Sequence, residues 1–211
     1  MTEKEWLEST DRWEMVDHIV PTASERKLRL FGCACCRRHW SWLHPAEQVA
    51  IEVAERFADG QATKKELKVA RDACKKLPEF VGGASPKRAA TPTARHAACQ
   101  CADWARWEVN RRHDVGWKEV QSRELLAQRN ALRCIFGNPF RPVSLAPSWL
   151  TPTVKAFAEQ IYNENAFDRM PILADALEEA GCANPDVFAH CRGSETHVRG
   201  CWLLDLLLKK G

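Results

Sequence analysis

The sequence predicts an all-α fold, a single domain of about nine helices packed as a bundle, and three observations carry that expectation. Capping residues and prolines recur where helices should begin, glycines follow the apolar-periodic segments, and the alternating patterns that mark strands are almost absent. With 211 residues, 45% of them hydrophobic, the chain can bury a sizeable core.

The elements follow in order. Thr2 with Glu5 reads as a capping box, Asp11 caps a short helix through Ile19, and Thr22 with Glu25 opens a long helix as far as Trp42. Pro45 and Gly60 bracket a helix whose apolar stripe is Val49, Val53, Ala54 and Phe57. Thr63 and Glu66 cap the next, to about Lys76, and a flexible loop is expected near residues 78–93. Helical periodicity returns from Thr93 to His113 and from Trp117 to Phe136, stopping at Gly137. Three prolines then make the stretch near 138–150 extended. Thr151 with Pro152, Pro171, and Asn184 with Pro185 start three more helices, the last ending at Gly193. The final helix, from about Thr196, is apolar on nearly every side from Val198 to Leu208 and is expected in the core.

Three phrases stand out: Leu28 to Trp40 (LRLFGCACCRRHW), Phe136 to Val143 (FGNPFRPV), and the end from Ala174, with ADALEEAGC, HCRG and HVRGCWLLDLLLKK. Over nearly its whole length the chain resembles a family of small uncharacterised proteins common in planctomycete genomes. That resemblance implies no activity. Its members often carry an aliphatic residue at position 39, so it implies no role for His39 either.

The start lacks the basic-then-apolar pattern of a secretory signal and the longest apolar run, Leu203 to Leu208, is broken by Asp205, so a cytoplasmic protein with no membrane association is expected. In that reducing setting the ten cysteines are expected as free thiols or metal thiolates rather than disulfides, most of them acting as small buried hydrophobes.

Residues four apart share a helix face, so Cys35 with His39 and His197 with Cys201 form two pairs. If their helices meet, the four make a Cys2His2 zinc site, closed and therefore structural. Cys36 could replace His39, and His190 or Cys191 could serve from the preceding helix. The competing reading makes both histidines core residues bonded to backbone or carboxylate. Cys33 and Cys36 match C-x-x-C, but Arg37 stands where haem attachment needs histidine, and the pair lies inside a helix rather than at the helix start expected of a redox motif.

Charge is uneven. From Gln61 to Leu145, 17 Lys and Arg stand against 8 Asp and Glu, so this stretch carries +9 and, with +3 for the whole chain, the ends carry −6. Trp104, Trp107 and Arg111 share a surface there that could stack bases or form structural cation-π pairs. Arg37, Arg38, Arg192 and Arg199 flank the cysteines and histidines as partners for Asp205 or for a small anion. The expectation is a non-catalytic helical binding or scaffold module that recognises another protein, with one structural zinc ion. A cysteine- or metal-dependent enzyme is the rival, without a phosphate loop or nucleophile elbow to support it, and a nucleic-acid-associated module using the basic middle is third.

Overall fold

The computed structural model describes residues 1–74, 94–112 and 117–210, apart from the side chains of residues 94–96, 98, 99, 110, 111 and 117. The expected loop near 78–93 lies outside the described residues. Among the described residues the chain forms eleven α-helices and three short 3-10 turns and no strand, so the all-α expectation holds. None of these helices is long and apolar enough to cross a membrane.

Contacts divide the chain into two compact units, one formed by Ser9–Arg129 and the other by Met1–Glu8 with Asn130–Gly211.

The first unit holds α2 (Arg12–Ile19), α3 (Glu25–Arg37), α4 (Pro45–Ala58), α5 (Lys64–Cys74), α6 (Ala94–Arg112) and most of α7 (Trp117–Phe136). Asp11 caps α2 by accepting from Trp13 N at 2.7 Å. In α3 every residue from Leu28 to Cys36 is buried, so this helix is covered on all sides; it packs on α4 and α6, and α5 packs on α4. Burying each Leu or Phe fully stabilises by about 1.5 to 3 kcal/mol. The helix expected to run from Thr22 to Trp42 is shorter. Ser24, not Thr22, caps it by accepting from Lys27 N, and it ends at Arg37, because Arg38 and His39 turn to a carboxylate on α7 and a 3-10 turn follows at Trp40–Trp42. His44 caps α4 through its ring nitrogen, Pro45 takes the first position, and Gly60 at φ +73° ends the run.

The second unit holds α1 (Glu3–Glu8), the end of α7, α8 (Pro152–Glu164), α9 (Met170–Glu179), α10 (Pro185–Arg192) and α11 (Trp202–Leu208). The Thr2–Glu5 capping box forms in both directions, at 2.7 and 3.3 Å. Thr151 and Asn184 cap α8 and α10 as their sequence positions predict. Residues 138–146 carry no regular structure, consistent with their prolines. The core joins Val154, Ile161, Tyr162, Leu173 and Leu177 to Leu203, Leu204 and Leu207 of α11. The last helix is in this core but starts at Trp202 rather than near Thr196, since Gly200 at φ +89° and an extended Cys201 interrupt it.

Gly137 closes α7 at φ +67°, and a Cβ there would lie 3.2 Å from the Trp202 ring. Its carbonyl also accepts from Trp6 Nε1 at 3.1 Å. Gly137→Ala should therefore cost about 1 to 3 kcal/mol, from left-handed backbone strain and the close ring together. Urea unfolding checks this: a midpoint equal to wild type would contradict it.

Candidate metal centre

The second unit brings four ligand-type side chains to one point. Cys134 lies in the last turn of α7 and His190 in the last turn of α10, while His197 and Cys201 come from the non-helical stretch between α10 and α11. Glycine makes the turn out of α10 feasible. At Gly193 a Cβ would sit 2.8 Å from the Ala189 carbonyl oxygen, so the chain leaves the helix where only glycine fits. Gly200 then redirects the backbone so that Cys201 precedes α11, its carbonyl accepting from Asp205 N at 2.9 Å.

One ligand atom from each residue lies within 4.8 Å of all the others. His190 Nε2 is 3.0 Å from Cys201 Sγ, and His197 Nδ1 is 3.8 Å from Cys134 Sγ. Val198 N donates to Cys134 Sγ at 3.4 Å, and the two imidazoles stand nearly perpendicular at 85°, with centroids 4.6 Å apart. Cys134, His197 and Cys201 are buried and His190 is half-buried. The buried His197 Nε2 has no hydrogen-bond partner among the described residues.

The two thiols ionise unequally. Burial alone would raise Cys201, but the hydrogen bond from Cys134 and the neighbouring His190 and His197 outweigh it and hold this thiol well below its ordinary value. Cys134 is pushed up, first by its hydrogen bond to Cys201 and then by burial. Elsewhere burial dominates: Cys33, Cys35, Cys36 and Cys191 are all raised. The thiolate is the form of cysteine that coordinates a metal ion.

The four residues lie close enough to hold a metal ion. In a tetrahedral zinc shell, with Zn–S about 2.3 Å and Zn–N about 2.0 to 2.1 Å, sulfur and nitrogen ligands stand about 3.6 Å apart. The Cys134–His197 separation already matches, and the His190–Cys201 contact needs to open by about half an ångström. Two thiolates with two imidazoles is a zinc-type donor set.

This set corrects the expected one. His197 and Cys201 do converge, but not as neighbours on a helix face. Cys35, Cys36 and His39 belong to the other unit and have other neighbours. Cys35 and Cys36 are fully buried on α3, with Cys36 against the thiol of Cys101. His39 Nε2 meets Glu124 at 3.1 Å and its ring stacks on Trp42 at 4.4 Å, which is the core-histidine alternative. His190, weighed only as a substitute, is a full member, and Cys134 was missed. Cys134 has no cysteine or histidine within four residues, so no local spacing marks it. All nine described cysteines are free.

The expected binding residues are mostly engaged elsewhere. Arg37 pairs with Glu55 and lies over Trp40, and Arg38 donates to Glu124. Arg192 bridges to Asp175 and Glu178, and Arg199 lies 4.5 Å over Tyr162. Trp104 is buried edge-on to His39, and Trp107 is half-buried. The side chain of Arg111 lies outside the described residues. Its neighbour Arg112 pairs with Glu108 and lies over Trp42, so the cation-π contacts here are internal.

Glu124 joins this network at its centre. Burial alone would raise its carboxyl, but hydrogen bonds from His39 and Gln128 and the charge of Arg38 hold it below the ordinary value. A carboxyl depressed by folding contributes stability above its unfolded pKa of about 4.3, lost as pH falls through the lower folded value. Glu124→Gln should thus cost about 2 to 3 kcal/mol at neutral pH, since Arg38 is partly solvated. Denaturant melts at several pH values check it: the gap between wild type and variant should shrink below about pH 4, and a constant gap would contradict the assignment.

Compared with models of known families, with curated proteins and with solved structures, the chain matches none.

Proposed function

We propose that Cys134, His190, His197 and Cys201 hold one structural zinc ion in a non-catalytic helical module that binds or scaffolds another protein. The observation that carries this reading is the convergence of four zinc-type ligand atoms within 4.8 Å, three of them on buried residues. Four protein ligands complete a tetrahedral shell and leave no position for a substrate or an activated water, which separates a structural site from a catalytic one.

Protein purified without an affinity tag or added metal is expected to carry one zinc per chain. Its melting temperature should fall on chelation and recover with zinc. A metal-free preparation whose melting ignores both chelator and zinc would contradict the reading.

A further inference from the structure

We propose that the zinc centre is a redox switch, in which a peroxide oxidises Cys134 and Cys201 to a disulfide and the metal is released. This rests on the zinc reading above and concerns how that site is regulated. The two sulfurs belong to one set of ligand atoms that all lie within 4.8 Å of one another. A disulfide needs a sulfur separation of about 2.05 Å, so the pair closes by at most about 3 Å. That movement falls to Cys201, because Cys134 sits on a 20-residue helix while Cys201 follows the non-helical stretch between Gly193 and Gly200.

The chemistry balances with hydrogen peroxide as oxidant. One zinc-bound thiolate attacks a peroxide oxygen, the O–O bond breaks, and the departing hydroxide takes a proton to become water, leaving a sulfenic acid. The second thiolate attacks the sulfenic sulfur, the S–O bond breaks, and a second proton makes a second water. Two electrons pass from the sulfurs to the peroxide. The zinc ion keeps only His190 and His197 and leaves. A disulfide then joins α7 to the start of α11 where the metal did, so the cross-link between them persists while the two imidazoles are freed.

The test uses the full chain, with zinc content measured first. Zinc-loaded protein is treated with hydrogen peroxide, released zinc is followed with a chromogenic chelator, and disulfides are mapped by mass spectrometry after alkylation. The expected result is one zinc released for each Cys134–Cys201 disulfide, reversed by dithiothreitol with added zinc. Cys182→Ser with Cys191→Ser should behave identically, which removes the other two cysteines of this unit as participants. Release with a disulfide elsewhere or with sulfinic acid, or zinc retained under peroxide that oxidises glutathione, overturns the switch. A chain with no zinc before peroxide overturns the zinc reading and the switch with it, and that failure is recognised before oxidation begins.

Discussion

Cys201→Ser should release the zinc ion and lower stability by at least about 4 kcal/mol when free zinc exceeds its dissociation constant a thousandfold. A site assembled only in the folded chain adds its binding energy to folding, and a hydroxyl cannot replace the thiolate. Cys191→Ser is the control. Cys191 is equally buried, in the same core, but lies outside the ligand set, so its substitution should cost only about 1 to 3 kcal/mol and leave the metal in place. Calorimetry with and without chelator separates the two. Equal losses for both variants, insensitive to chelator, would make Cys201 an ordinary core residue.

Trp6→Ala should be as damaging for a different reason. Helix α1 is only six residues long, too short to persist without tertiary packing, and Trp6 is the residue that it buries. The indole is fully buried and donates to the Gly137 carbonyl, while Arg133 donates to the Trp6 and Leu7 carbonyls at 3.1 and 2.9 Å. Its removal should cost about 3 to 5 kcal/mol. Trp6→Phe keeps most of the apolar area but loses the N–H donor and leaves the Gly137 carbonyl short of a partner, so about 1 to 2 kcal/mol is expected. Chemical denaturation measures both, and a Phe variant as unstable as the Ala variant would show that the hydrogen bond, not the burial, dominates.

Element type was legible because it is written locally. The Thr2–Glu5 and Thr63–Glu66 boxes, the prolines opening α4, α8 and α10, and Gly60 and Gly137 are short-range signals that tertiary packing did not override. Two boundaries were not legible. Arg38 and His39 leave the helical path for Glu124, 86 and 85 residues away, and no local pattern encodes that partner. Cys201 follows Gly200, whose left-handed backbone breaks what composition alone extends into one apolar helix. The candidate site failed for the same reason. His197 and Cys201 were found by spacing that happened to survive the loss of the helix, and His190 by its nearness in sequence. Cys134 enters through the packing of α7 against the 193–201 stretch, where Val198 N reaches its sulfur, and a sequence carries no mark of such a contact.

The most direct measurement is X-ray absorption at the zinc edge on tag-free protein whose metal content has been established. The account predicts a four-coordinate shell of two sulfurs at about 2.3 Å and two nitrogens at about 2.0 to 2.1 Å, unchanged in Cys35→Ser, and no bound zinc in Cys134→Ser. A shell rich in oxygen, a spectrum altered by Cys35→Ser, or no stoichiometric zinc would contradict it.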